Sequence, residues 1–448
     1  MQYQDGRKGL IMALSKRVWI SFLLIGLTGQ FAWTIENMYF NVYLYSTIST
    51  DPNNIALMVA ASAVVATLTT LIMGALSDKL GRRKVFICAG YILWGLSTMA
   101  FGAISVENAA RWFPSANAVA SAAVILIAMD CIMTFFGSTA NDAAFNAYIT
   151  DATTNDNRGK AESVLAILPL LSMLIIFGAF DSMTQQGRWK EFFGIFGAVV
   201  TITGVLSIFL LKENKLAATG SFVKSENSYF LNLIYGFRPA VIRSNPSIYL
   251  ALTAFGIFSV SVQVFFPYLI IYMQHYLKID AYALVLGVVL IAASIVSVIG
   301  GRFIDKLGKL KFVYPAACVM LAGLVGMFFA RSVAAVIATG IVMMSGYMLL
   351  TATLSATVRD YTPADKVGHF QGIRMIFAVL LPMVIGPFIG ASVIVNSDST
   401  YVELGVVKSV PTPGIFLASA AVLLLAAIPI HLLKRRVLSE NDLGRKAE

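Results

Sequence analysis

Long uninterrupted apolar runs constrain this chain more than any other feature. They fall near residues 18–46, 55–77, 85–105, 118–150, 161–184, 191–212, 247–275, 281–303, 312–330, 333–358, 372–396 and 413–434. A helix needs about 20 such residues to cross a hydrocarbon core of roughly 30 Å. Lipid permits helices here, because a lipid-exposed backbone must satisfy its own hydrogen bonds and the runs lack the two-residue alternation of barrel strands. Only 12% of the 448 residues are charged, against about 25% in soluble domains. The reading is an all-α membrane protein of twelve transmembrane helices. Met1 to Arg17 is polar and the first apolar run is too long for a signal core, so the first helix is expected to stay as an anchor.

Charge sets the expected orientation. Of the 33 Lys and Arg, 27 fall on the side of the N-terminus, and the other face holds only Arg111, Arg188, Lys190, Lys278, Arg331 and Lys408. The positive-inside rule then puts both termini in the cytoplasm of a multi-pass protein of the cell membrane, and requires an even number of spans. The net charge of +10 reads as a topology signal, with anionic lipid contact as a secondary role. Basic residues scattered over seven short segments exclude a nucleic-acid surface. Cys88, Cys131 and Cys318 all lie inside apolar runs, and His275, His369 and His431 are far apart. Neither a disulfide nor a metal site is suggested, no cofactor is expected, and catalysis is not.

An internal repeat divides the chain. Gly74, Asp78, Lys79, Gly81, Arg82 and Lys84 recur at a constant offset of 227 as Gly301, Asp305, Lys306, Gly308, Lys309 and Lys311. A weaker echo places Asp151 and Gly159 against Asp360 and Gly368, at an offset of 209. The chain therefore reads as a duplicated six-helix unit: residues 1–212, a linker over 213–246, and residues 247–448. Within the linker, Phe230, Ile234, Phe237 and Val241 recur at helical spacing, which predicts a short interfacial helix over 229–242.

The run Gly74-x-x-x-Asp78-Lys79-x-Gly81-Arg82-Arg83-Lys84 resembles the cytoplasmic motif A of the major facilitator superfamily, and the copy at Gly301 to Lys311 resembles its degenerate repeat. The resemblance implies two pseudo-symmetric six-helix bundles. It implies that Asp78 meets the N-terminus of helix 11, that Arg82 pairs with Asp151, and that Asp305 with helix 5, and Lys309 with Asp360, form a weaker counterpart. Together with Gly74 and Gly81 these would latch the halves while the cavity faces outward. Within the superfamily the chain is most similar to cation-coupled sugar carriers of the melibiose-carrier type, through Leu231 to Tyr282. It departs from them in helix 2, where Ile55 to Met73 holds no carboxylate, which weakens the case for sodium.

Ionisable groups at membrane depth are costly and call for a partner or a water-lined path. The candidates for cation coupling are Asp130 and Asp142 in helix 4 and Glu36 in helix 1. Helical spacing puts Asp130, Thr134, Gly137, Asn141 and Tyr148 on one stripe, and Gln30, Thr34, Asn37 and Asn41 on another. Glu36 sits about 120° from the centre of that second stripe, off the expected cavity wall. The second half offers neutral groups: Gln263 and Tyr268 in helix 7, Tyr347 in helix 10. Such a lining, with Trp33 to cover an apolar sugar face, suits a hydroxylated small-molecule substrate. A proton loading a buried carboxylate would neutralise it and permit closure, so the expected machine is a monomeric, proton-coupled sugar or glycoside symporter. A drug or metabolite exporter is the first rival and a lipid carrier the second. Exporters of this fold resemble one another in a Gly-x-x-x-Gly-Pro-x-x-Gly pattern in helix 5, where this chain has only Pro169 and Gly178.

Overall fold

The computed structural model describes residues 15–153, 157, 161, 164–212, 237–362, 367–397, 400–403 and 406–447. Eleven helices among them are long and apolar enough to cross a membrane. In chain order the spans are α1 Lys16–Ile48, α2 Pro52–Leu80, α3 Arg83–Ala103, α4 Ala118–Ala152, the shorter apolar α5 Leu168–Ala179, and α6 Trp189–Leu210. The second set is α7 Pro246–Tyr276, α8 Tyr282–Leu307, α9 Lys309–Phe329, α10 Val333–Tyr361, α11 Gly372–Val395 and α12 Gly414–Leu438. The chain is thus an all-helical multi-pass membrane protein with the twelve-helix arrangement expected. The connection between α11 and α12 adds a hairpin that periodicity in apolar runs does not reveal, with β1 Thr400–Glu403 antiparallel to β2 Val406–Ser409.

The repeated glycines follow from backbone geometry. Gly81 and Gly308 stand in the left-handed region, at φ +63° and +81°, in the turns that reverse α2 into α3 and α8 into α9. Residues with a Cβ avoid that region, so both copies of the motif need glycine there. These turns mark one end of the bundle, called here the turn end. The predicted linker helix falls mostly on residues 229–236, outside the described residues; a short helix Pro239–Ser244 follows it.

The opposite end is closed. Among the described residues, hydrogen bonds that join the first six helices to the last six lie there. Tyr282 Oη donates to Asp181 Oδ1, and Gln185 Nε2 to the Asp280 carbonyl at 3.2 Å. Tyr268 Oη approaches the Pro52 carbonyl at 3.2 Å, and Tyr45 Oη donates to the Ser409 carbonyl at 2.7 Å. Down the α5–α8 seam the two helices then part. A Cβ on Gly287 would still touch Leu174 Cδ2 at 3.5 Å. Nearer the turn end, Ile167 is 60% and Val298 72% exposed. The bundle is pinned at one end and split along this seam at the other.

Candidate functional site

Four of the spans contain a π-helical stretch: Ile35–Tyr39 and Leu44–Ile48 in α1, Ser138–Phe145 in α4, Tyr272–Tyr276 in α7 and Ile376–Leu380 in α11. A π-turn widens the helix by about one residue and rotates everything after it, a feature common at functional sites. Here three of the widened helices meet round one polar cavity of about 230 Å³. From α1 come Trp33, Glu36 and Asn37, from α4 Asp142, from α2 Ser62 and Ala63, and from α11 Val379. Among the described residues no Lys, Arg or His lines it.

The stripe drawn on α1 fails at two positions. Thr34, placed on the polar stripe by a 100° step, faces α5, where its Oγ1 meets Ser172 Oγ at 3.0 Å. Glu36, expected off the wall, lies on it. Its Oε1 accepts from Thr134 Oγ1 at 2.8 Å, and its Oε2 is buried without a partner among the described residues. Asn37 also lines the cavity, with Nδ2 donating to the Trp33 carbonyl at 2.8 Å. Trp33 stands on the wall with its ring 5.0 Å from that of Trp94.

On α4 the widened turn separates neighbours. Asp142 reaches the cavity and accepts from Ser138 Oγ at 3.1 Å and from Asn141 Nδ2 at 3.4 Å. Asn141 itself is committed to packing: its Oδ1 faces Tyr91 Oη at 2.9 Å and lies where a Cβ on Gly29 would come within 2.7 Å. Glycine at 29 is what lets α1 approach α4 this closely. Asp130 is 1% exposed and stands behind the wall beside Ser62, with Oδ1 unpartnered among the described residues. Asn41 is fully buried one turn beyond Asn37, its Oδ1 likewise unpartnered. The candidate acids therefore form one group, with Glu36 and Asp142 on the cavity and Asp130 behind Glu36.

Tyr91 holds this group from the side. Its hydroxyl lies 2.8 Å from the Ile25 carbonyl and 2.9 Å from Asn141 Oδ1. Tyr91→Phe would strip a buried acceptor of its donor, a loss of about 1–3 kcal/mol. A lower midpoint of thermal unfolding in detergent is expected. An unchanged midpoint would mean that Asn141 finds another donor.

Several expected substrate contacts lie elsewhere. Tyr268 is a seam residue instead of a cavity residue: it is fully buried and its hydroxyl serves the Pro387 carbonyl at 2.8 Å and the Pro52 carbonyl. Gln263 packs its backbone and Cβ on α11 at Gly386, which assigns the Gly386-Pro387-x-x-Gly390 run to helix packing. Gln30 lines neither this cavity nor the one described next. Tyr347, with its ring stacked at 5.9 Å on Phe258, belongs to that second cavity. It measures about 680 Å³, opens between α5 and α8, and is walled by apolar side chains, Met38, Met173, Met273 and Met344 among them.

At the turn end the arginine on Asp151 is Arg83, not Arg82. Arg83 Nε stands 3.2 Å from Asp151 Oδ2 and its Nη1 donates to Ser77 Oγ at 2.6 Å, whereas Arg82 is exposed. The positive φ of Gly81 leaves Arg82 at the rim of the turn and makes Arg83 the first residue of α3, facing inward. In the second half Lys309 Nζ stands 2.6 Å from Asp360 Oδ2. Gly74 sits in α2, where a Cβ would touch Ala143 at 3.9 Å. The side chains of Asp78 and Asp305 lie outside the described residues.

Asp181 is a buried acid to which sequence reasoning gave no role. It is 2% exposed, at the closed end of the seam. It accepts from Tyr39 Oη at 2.9 Å, from Gln185 Nε2 at 2.6 Å and from Tyr282 Oη. An acid near the end of the apolar run 161–184, with Tyr39 and Tyr282 in two others, was the available signal.

Two helical sets round a polar cavity, pinned at one end and parted at the other, define a solute transporter instead of an enzyme. The sequence profile of the Major Facilitator Superfamily matches residues 19–387, and the chain belongs to that family. No curated protein matches it. Among solved structures it is similar to the nucleoside transporter NupG, at 11% identity and a TM-score of 0.65, over 94% of this chain and 99% of that one. It is similar also to the xylose transporter XylE from E. coli in a partially occluded inward open conformation, at 13% identity and a TM-score of 0.66, over 92% and 97%. A third is a bacterial homolog of the human lysosomal transporter Spinster, inward-facing and unoccupied, at 12% identity and a TM-score of 0.63, over 95% and 99%.

Proposed function

We propose that the chain is a proton-coupled secondary transporter that moves a small hydroxylated solute, a sugar, glycoside or nucleoside, by alternating access. The observation that carries this reading is the pair Glu36 and Asp142 on one cavity of about 230 Å³ with no cationic side chain among the described residues of its wall. Two carboxylates at membrane depth without a cation are costly. A proton on one of them removes that cost. The remaining oxygens, with Asn37 and Ser62, offer acceptors and donors to solute hydroxyls, and Trp33 offers a flat apolar face. Sugar and nucleoside transport by the similar structures supports the substrate class.

In this reading the positive-inside rule puts the termini and the turn end in the cytoplasm. The closed end then faces outward, and the described state is the inward-parted one. Residues 1–212 and 247–448 rock as two units on the 213–246 linker, and the chain acts as a monomer. Arg83 with Asp151 and Lys309 with Asp360 brace the turns within each unit.

One observation favours a second reading, a proton-driven exporter of amphipathic compounds: the apolar cavity beside α5 and α8 is larger than the polar one, at about 680 Å³. Purified protein in liposomes separates the two. Uptake of labelled sugars, glycosides and nucleosides is followed with no gradient, an inward proton gradient or an inward sodium gradient. Accumulation of one solute under the proton gradient is expected. Accumulation under sodium alone would replace the coupling ion, and proton-driven extrusion of cationic dyes without any sugar or nucleoside response would make the exporter the function.

A further inference from the structure

The apolar cavity has a definite address. One face of α8 runs Leu286, Leu290, Ser294 and Val298 at four-residue steps, all in its wall, and the next step is Arg302. Four-residue steps keep residues on one helix face. From Leu286 to Val298 the rise is about 18 Å at 1.5 Å per residue, against about 15 Å for one leaflet of the hydrocarbon core. The wall is therefore as long as a single acyl layer. No charged group among the described residues lines it, and the methionines along it are flexible side chains that adapt to an irregular occupant.

The mouth of this cavity is the α5–α8 seam, where Ile167 and Val298 are 60% and 72% exposed. In a bilayer that opening faces lipid. One turn beyond Val298, at the end of the span, Arg302 is exposed and no described residue pairs with it. An apolar slot one leaflet deep with a guanidinium at its rim has the form of a phospholipid: chain inside, phosphate on the arginine.

We infer that the α5–α8 crevice is a binding site for one anionic phospholipid, whose acyl chain fills the slot and whose phosphate meets Arg302. The crevice exists because the halves are parted at the turn end, so the lipid wedges that state open and leaves when the seam closes. The assignment is independent of the solute carried in the polar cavity.

Native mass spectrometry of protein released from nanodiscs of mixed phosphatidylglycerol and phosphatidylcholine tests it. One retained phosphatidylglycerol per chain is expected. Arg302→Gln should lower the preference for phosphatidylglycerol over phosphatidylcholine about fivefold, the effect of one basic residue at a membrane surface. Val298→Trp, or Ile167→Trp on the facing wall if the first is unstable, should reduce retention of both lipids by filling the slot. Lys190→Gln, a basic residue removed at the closed end, should change neither. Retention that is equal in the wild type, Arg302→Gln and both Trp variants would overturn the site. So would displacement of the lipid by a transported dye, which would make the crevice a solute site.

Discussion

Glu36→Gln is expected to cut proton-driven uptake about 100-fold while leaving solute exchange across equilibrated membranes within about threefold, a loss of roughly 2.7 kcal/mol confined to the coupled step. The argument is geometric. The Gln side chain keeps an oxygen to accept from Thr134 Oγ1, now at 2.8 Å, and puts an amide where the unpartnered Oε2 stands. Shape and packing survive, and only the exchangeable proton is lost. Asp142→Asn should cost less, about tenfold, because Ser138 and Asn141 already occupy its oxygens. Asp130→Asn should stay within about threefold, since its carboxyl is 1% exposed and stands off the cavity wall. Each ratio comes from paired uptake and counterflow assays on one liposome preparation. If Asp130→Asn abolished driven uptake and Glu36→Gln did not, the proton would ride on the acid behind the wall.

Spacing puts Asp130 on a polar stripe and Glu36 off the cavity wall, the reverse of their places here, and the difference shows what a sequence of this kind conceals. The spans were legible because lipid imposes a length: the run near 18–46 becomes Lys16–Ile48, and that near 333–358 becomes Val333–Tyr361. The repeat was legible because Gly81 and Gly308 both need a positive φ. The facing of side chains was legible only as far as the helix kept 3.6 residues per turn. At Ile35 and at Ser138 it does not, and Glu36 lies on the cavity wall that the stripe drawn through α1 placed it off. Nothing in the residue types at 35–39 announces a widened turn. Arg82 and Arg83 were ambiguous for a similar reason, because one backbone dihedral at Gly81 decides which of two adjacent arginines looks inward. Asp181 stands within an apolar run, but its partners Tyr39 and Tyr282 are 142 and 101 residues away, a separation that no local pattern spans.

Those partners make the second large effect. Asp181 is a carboxylate taking two phenol hydroxyls, one from its own half and one from the other, and a hydrogen bond to a charged group is worth about 1.5–3 kcal/mol. Tyr282→Phe removes the bond that crosses the seam and leaves Tyr39 and Gln185 on Asp181. Loss of about 2 kcal/mol from the closed end alone moves the balance between the two states by roughly 30-fold. The expected result is a shift of the population toward molecules parted at this end. Spin labels at Gln186→Cys and Ala281→Cys, both exposed and on opposite sides of the seam, would report it as a longer distance, in a chain whose three native cysteines are replaced. Tyr43→Phe is the matched control: its hydroxyl also donates within the closed end, but to the Ile104 carbonyl of the same half, and it should leave the distance distribution unchanged. Equal shifts in both variants would mean that loss of any buried phenol loosens the bundle. No shift in Tyr282→Phe would mean that Tyr268 and Tyr45, which bridge the halves beside it, hold the seam without Asp181.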